Sequence, residues 1–264
     1  MASNREIVIN NYTEYQEDKR STESRAGSLE FHYTKKILSE YIKPDSHVIE
    51  VGCATGYYPM YFSDICAQYT GVDLSPDNIA IFQEKISAEG KENVKAMVGD
   101  ATDLSEIANN SFDVVLCLGP MYHLPREERL KVFDECQRIA RPGATLAFAY
   151  INGLGAYVAA CVHDELRSTY PNAKTNYSVF ELKTDDQKPG LFFYTSPEEM
   201  ESDAKSKNMD VVKNCGVNFA FASCAIEWMS EEQFESYMGI ADKMSESKSC
   251  TGLSAHALMI CRMA

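Results

Sequence analysis

The stretch that most constrains the fold is residues 48–63, which begins Val48-Ile49-Glu50-Val51-Gly52-Cys53-Ala54-Thr55-Gly56-Tyr57-Tyr58. A short apolar run ending in an acid, then small residues, then a helix-compatible segment reads as strand, tight turn and helix. Such a turn brings backbone against a ligand, and its spacing separates two kinds. A dinucleotide fingerprint needs glycine at the first, third and sixth places; counting from Gly52, those places hold Gly52, Ala54 and Tyr57. Pyrophosphate is disfavoured, and Glu50 at the strand end would repel it. A carboxylate there suits a ligand bearing ammonium or sulfonium charge. From this stretch alone, a plain strand-to-helix turn with a capping acid remains the alternative.

Further along, strands and helices alternate. Residues 58–67 read as the first crossover helix and 69–73 as a strand ending in Asp73, which lies 23 residues after Glu50, where a ribose diol would sit. Ser75-Pro76 opens a helix with Ile79, Ala80, Phe82 and Ile86 facing inward and Gly90 closing it. Residues 94–98 form the third strand, followed by Gly99-Asp100-Ala101. Residues 111–118 read as a buried strand, 126–140 as an amphipathic helix, and Arg141-Pro142-Gly143 as a turn into the strand 144–150. In open α/β sheets ligands bind beyond the carboxyl ends of strands. The loop 119–124 and the Gly52 turn should therefore share one crevice, with Tyr122 and His123 pointing into it.

The acid-x-Gly-x-x-x-Gly pattern from Glu50 to Gly56, then Asp73, Gly99-Asp100-Ala101 and the 111–124 segment fall in the order found in class I S-adenosylmethionine-dependent methyltransferases. The chain resembles that family most strongly over residues 47–150. It departs at Ala54, where the family usually has a third glycine; the change adds one methyl and reads as mild. The resemblance implies an α/β, Rossmann-like doubly wound fold with seven strands in the order 3-2-1-4-5-7-6, the seventh antiparallel and here at residues 254–261. It implies S-adenosyl-L-methionine as cofactor, leaving as S-adenosyl-L-homocysteine. Asp73 would hold both ribose hydroxyls and Asp100 the adenine amino group. Glu50, Gly52, Cys53, Ala54, Gly56, Tyr57, Leu74, Ala101 and Leu118 would complete that site. More finely, the chain is similar to a group of small bacterial methyltransferases sharing Leu29-Glu30-Phe31, the 118–124 segment and a closing Gly-x-Ser-x-His-x-Leu, here residues 252–258. That group specifies fold and cofactor better than acceptor.

Methyl transfer from a sulfonium is an in-line displacement, so positioning and exclusion of water can carry most of it. His123 is the histidine expected at a strand end facing the crevice. It is either a base, titrating between about pH 6 and 7, or a loop histidine that shapes the pocket. Tyr122 accompanies it as a catalytic candidate. Tyr57, Tyr58 and Tyr122 could set ring faces around a sulfonium or a cationic substrate. Tyr12, Tyr15, Arg25, Glu30 and His256 are candidates for binding the acceptor. His163-Asp164 resembles half of a metal site, but no second ligand pair sits at a suitable spacing, so no metal is expected. His32 and His47 read as structural.

At 264 residues a single domain is expected. Residues 1–44 would be an N-terminal helical cap, 45–150 the cofactor-binding core, 152–195 an insertion or lid, and 196–264 the C-terminal part of the sheet. Within these, 10–25 could form a solvated helix, and Ser28 looks like the cap of a second helix reaching Pro44. Residues 153–170 can be helical, 177–182 and 191–194 can be strands, and Ser196-Pro197 starts a helix. Residues 209–222 read as strand and 231–244 as helix.

Lys and Arg total 25 against 39 Asp and Glu, a formal charge of -14, and no basic cluster exceeds Lys35-Lys36. Nucleic acid and anionic membrane need clustered positive charge, so neither is expected as a partner. Nine cysteines without a Cys-x-x-Cys read as reduced thiols of a cytoplasmic protein. No apolar run approaches ~18 residues, and the first residues lack the basic-then-apolar pattern of a signal peptide. The expected function is methyl transfer to a small-molecule O, N or S nucleophile, with the oligomeric state open. A peptide or protein methyltransferase and a non-catalytic S-adenosylmethionine-binding regulator are the alternatives.

Overall fold

The apolar runs Val48-Ile49 and Val114-Val115-Leu116-Cys117 form the middle of the sheet, where helices cover both faces and alternation is not needed. In the computed structural model, which describes residues 4–14, 24–163, 166, 168–180, 191–219 and 225–263, these runs are β1 (His47–Val51) and β4 (Phe112–Cys117). Strands β2 (Gln68–Asp73) and β3 (Val94–Val98) add in parallel on one side, and β5 (Ala140–Ile151) on the other. Strand β6 (Met209–Gly216) reaches the sheet through β7 (His256–Met263), which runs antiparallel between β5 and β6. The order β3-β2-β1-β4-β5-β7-β6 is the expected one.

The two faces carry different cores. Val48, Val114, Leu116 and Leu258 turn to one side with helix α2 (Arg25–Leu38), which buries Leu29, Tyr33, Ile37 and Leu38 there. Ile49, Val115, Cys117 and Met259 turn to the other with α5 (Arg126–Ile139), which buries Val132, Phe133 and Cys136. A period of two on the strands divides the layers. The crossovers α3 (Tyr57–Phe62) and α4 (Pro76–Glu89) follow β1 and β2. Ser75 caps α4 by accepting from Asn78 N, Pro76 sits at its start, and Gly90 closes it at φ +63.

Helix α1 (Asn4–Glu14) precedes α2; α6 (Gly153–Val162), α7 (Ala173–Phe180) and α8 (Pro197–Ser206) follow β5. Before β7 come α9 (Glu231–Glu246), with a reciprocal Ser230–Gln233 cap, and the short α10 (Lys248–Thr251). Among the described residues no helix is long and apolar enough to cross a membrane.

Several boundaries differ from the sequence reading. The first helix starts at Asn4 rather than residue 10, and of the expected 10–25 helix, residues 15–23 lie outside the described set. Helix α2 is capped by Ser24, whose side chain accepts from Gly27 N, while Ser28 is inside the helix and donates to Arg25 O. Residues 177–180 are helical, not strand: Asn172 accepts from the Thr175 backbone and hydroxyl and starts a helix upstream of them. Residues 191–194 form no ladder. They are pinned singly, Phe193 N donating to Tyr122 O, and the next residue, Thr195, donating from its N to Ile151 O. The expected turn at 141–143 lies within β5, with Gly143 at φ +77, and β6 stops at Gly216.

Candidate active site

The turn after β1 is built by backbone conformations that few residues adopt. Gly52 and Gly56 have φ +79 and +88, and Ala54 between them has φ +46. The third glycine of the family pattern is thus a conformational preference, and alanine holds the left-handed geometry at a cost of about 1 kcal/mol. Gly52 packs on the loop after β4: a Cβ there would come 2.4 Å from Pro120 Cδ. Gly56 instead faces the core, where a Cβ would come 2.2 Å from a ring carbon of Phe82.

Asp73, at the end of β2, fastens this turn. Its Oδ2 accepts from Ala54 N at 2.9 Å; its Oδ1 accepts from Ser75 N at 2.9 Å and Asn78 Nδ2 at 3.1 Å. Burial raises its pKa, the three donors opposing. Asp100 Oδ1 accepts from Thr102 N at 2.8 Å and its hydroxyl at 2.7 Å, and Oδ2 accepts from Arg5 Nε. Burial pushes the Asp100 pKa up, but the Arg5 and Thr102 bonds outweigh it and the net shift is downward. A carboxylate has about four acceptor directions, so three donors leave each acid about one for a ligand. Glu50, 2% exposed, accepts from Tyr69 OH at 3.0 Å.

One cavity joins these acids to groups outside the sheet, with a volume of about 1220 Å³ counted out to its open mouth. Of the cofactor candidates, Glu50, Gly52, Cys53, Ala54, Tyr57, Asp73, Leu74, Asp100, Ala101 and Leu118 line it; Gly56 does not. Tyr12, Glu30, Tyr122 and His123 line the same cavity. Phe31 stacks on Tyr58 with ring centroids 5.7 Å apart and meets Tyr57 edge-on at 4.6 Å.

His123 stands where α1, the loop after β4 and the segment before α8 meet. Its Nδ1 lies 2.7 Å from Leu191 O, so that nitrogen carries the proton and Nε2 is the acceptor. Tyr12 OH is 3.0 Å from Nε2. Asn4 Nδ2 donates to the His123 carbonyl, and Phe192 stacks on the ring at 5.4 Å. Burial lowers the pKa to about 4, the Leu191 bond offsetting part of this. The sequence expectation of a titration between pH 6 and 7 is therefore corrected: the imidazole is neutral across that range. Arg126, paired with buried Asp203, and Arg129, which donates to Leu124 O and pairs with Glu199, tie this loop to α8.

Two acceptor candidates lie off the cavity. Arg25 turns away, donating to the carbonyls of Ile226 and Met229 and pairing with Glu231. His256 is bonded to Asn218 Nδ2 at 2.7 Å, behind Glu30, whose carboxylate is 3.4 Å from it. Tyr15 lies outside the described residues. Sequence reasoning missed Asn4, Arg5, Val8 and Ile9, which line the cavity from α1. Their spacing of three to four, continued by Tyr12, was the available signal. Among the described residues no group of three or more His, Cys, Asp or Glu is placed to hold a metal; Asp164 is not among them.

Residues 48–143 match the family model described as a methyltransferase domain. Over that stretch, about a third of the chain, it is similar to methyltransferase domains. The chain is 29% identical over 126 residues to the ubiquinone biosynthesis O-methyltransferase of Xanthomonas campestris pv. campestris (strain B100), covering 48% of this chain and 52% of the relative. A phosphoethanolamine N-methyltransferase of Plasmodium falciparum (isolate 3D7) is also 29% identical, over 46% of this chain and 44% of its own. The chain thus spans about half the length of these relatives. Among solved structures, a SAM-dependent methyltransferase from Aquifex aeolicus superposes with a TM-score of 0.57 at 16% identity, over 95% of this chain and all of that one. The cyclase SpnF superposes with a TM-score of 0.58 at 16% identity, over 88% of this chain and 80% of that one. These likenesses establish the fold.

S-adenosylmethionine is the cofactor that this family likeness and the fold imply, and the residues of the cavity fit it. Glu50 offers negative charge without a phosphate-binding lysine on the wall, and Asp73 and Asp100 each keep an acceptor direction. Asn4 Oδ1, of a residue on the same wall, is buried without a hydrogen-bond partner.

Proposed function

We propose that the protein methylates an O, N or S atom of a small molecule by in-line displacement. What supports this reading is that one cavity is walled jointly by Glu50, Gly52, Asp73 and Asp100 and by Tyr12, Tyr122 and His123. The first set suits the cofactor and the second can meet an acceptor. Bound S-adenosylmethionine would supply an electrophilic methyl on its sulfonium.

In this reading Asp73 orients the ribose, Asp100 the adenine and Glu50 the ammonium. Tyr57, Tyr58 and Phe31 close the wall with ring faces and keep water out. Leu191 fixes the His123 tautomer, leaving the Nε2 lone pair toward Tyr12. When the acceptor atom carries a proton, that proton passes to Nε2, either directly or through the Tyr12 hydroxyl, which gives its own proton to Nε2 and takes the acceptor's. An imidazole with a pKa near 4 is a weak base. It takes the proton as the new bond to carbon forms, not beforehand.

Calorimetry should detect S-adenosylhomocysteine binding and none for NAD, because the turn lacks the third dinucleotide glycine and carries Glu50. Labelled S-adenosylmethionine with fractionated cell extract should then place label in the small-molecule fraction. Label in the protein fraction would favour a peptide or protein acceptor, and binding without transfer would favour a regulator. NAD binding as tight as that of S-adenosylhomocysteine would sink the reading. The charge of -14 and the absence of any disulfide among the eight described cysteines support a cytoplasmic protein that acts without nucleic acid or membrane.

A further inference from the structure

We propose that Arg5 is a positioning residue that clamps α1 over the adenine end of the cofactor cavity, so that cofactor enters and product leaves only while α1 is lifted. The inference rests on the cofactor assignment given above.

The clamp has three arms. Arg5 Nε donates to Asp100 Oδ2 at 2.5 Å, Nη2 to the Thr102 hydroxyl at 2.9 Å, and Nη1 to Glu128 Oε1 at 3.5 Å. They join α1 to the loop after β3 and to the first turn of α5. The planar guanidinium can serve these acceptors together, as an ammonium cannot. Asp100 already takes two bonds from Thr102 on its other oxygen, so Arg5 leaves it an acceptor direction for the ligand. Clamp and adenine can be held at once.

Helix α1 is not seated by a buried apolar face. Its apolar residues form no one-sided stripe, and none of its described side chains is fully buried. Asn4 and Tyr12 bond to His123. Yet Asn4, Arg5, Val8, Ile9 and Tyr12 all line the cavity. Without Arg5, the carboxylates of Asp100 and Glu128 lose the cation they share, and α1 loses its anchor at the adenine end. Because the Arg5 and Asp100 side chains are 40% and 28% exposed, dissolved ions reach the pair and weaken it.

The test is calorimetric titration of the full chain with S-adenosylhomocysteine, together with stopped-flow release, at about 0.05 and 0.5 M NaCl. This ligand is a net-neutral zwitterion, so salt acts on the clamp more than on the ligand's own charge. Arg5→Ala should weaken binding about three- to tenfold at low salt, with release faster by a similar factor. The wild type should lose a comparable factor on going to high salt, whereas Arg5→Ala should be nearly flat. Arg5→Lys should recover part of the loss. Glu128→Gln, at a residue off the cavity wall, should shift both readouts in the same direction by less. A wild type that fails to bind S-adenosylhomocysteine overturns the cofactor assignment, and the clamp with it. Binding by the wild type that Arg5→Ala leaves within twofold, or an undiminished salt response in that variant, overturns the clamp alone.

Discussion

The hydroxyl of Tyr12 lies 3.0 Å from Nε2 of His123, across 111 positions of sequence, with the two rings edge-to-face at 5.4 Å. The contact joins α1 to the loop after β4, on the wall of the cavity. It also occupies the one imidazole nitrogen able to accept a proton.

Tyr12→Phe removes that hydroxyl and keeps the ring. Turnover should fall about 10- to 100-fold, while S-adenosylhomocysteine affinity changes less than twofold, since the hydroxyl faces Nε2 of His123, which is proposed to act on the acceptor. Once an acceptor is identified, steady-state rates and calorimetry on the same preparation separate the two. A loss of affinity as large as the loss of rate would make Tyr12 a cofactor residue.

Acid stability should report the burial of His123. Its folded pKa of about 4 lies below the ordinary 6.5, so the unfolded chain binds the extra proton first. Stability from this group is therefore intact above pH 6.5 and is lost as the pH falls to about 4, by roughly 3 kcal/mol in all. Urea midpoints at pH 7 and 4.5 should diverge less in His123→Asn than in the wild type. Equal divergence in the two proteins would mean that His123 titrates normally.

Asp73→Ala should weaken cofactor binding by about 1.5 to 3 kcal/mol, the range for hydrogen bonds to a charged group. Because Ala54 N, Ser75 N and Asn78 Nδ2 lose their acceptor with it, the fold should also lose about 1–3 kcal/mol. Paired ligand and denaturant titrations check both. Unchanged stability would mean that the turn is held without Asp73.

Gly52→Ala sets a Cβ 2.4 Å from Pro120 Cδ at φ +79. Left-handed strain and overpacking together should cost about 2–4 kcal/mol. Relief requires Pro120 to move, carrying the His123 loop with it. The rate should therefore stay low even at saturating cofactor, as steady-state measurements can check.

What the sequence made legible is what neighbouring residues determine. The strands, the Gly52 turn and the positions of Asp73 and Asp100 at strand ends follow from apolar runs and turn chemistry a few residues long. Long-range polar pairing leaves no such trace. Arg25 is an acceptor-binding candidate by sequence, but its partners are carbonyls more than 200 positions away. Arg5 eludes a local reading for the same reason: helical spacing places it on the face of α1 with Asn4, Val8, Ile9 and Tyr12, but its carboxylate partner is 95 positions on. His123 was found from topology, yet its neutral state depends on burial under Phe192 and Tyr12, which spacing does not encode. At Ala54 the local reading also fell short, because substitution by alanine looks like one added methyl until the backbone dihedral is known.

The place of β7 between β5 and β6 constrains how the molecule assembles. Among the described residues strand β6 has no other neighbour in the sheet, so it cannot join before β7 is seated or arrives paired with it. Strand β7 in turn must find β5 across about a hundred residues, pairing Leu146 with Cys261. Closing so long a loop is slow, whereas the parallel pairings of β1 to β4 span shorter separations. Folding should therefore proceed in two kinetic stages, and the half of the sheet with Glu50, Asp73 and Asp100 should gain amide protection before the half that closes behind it.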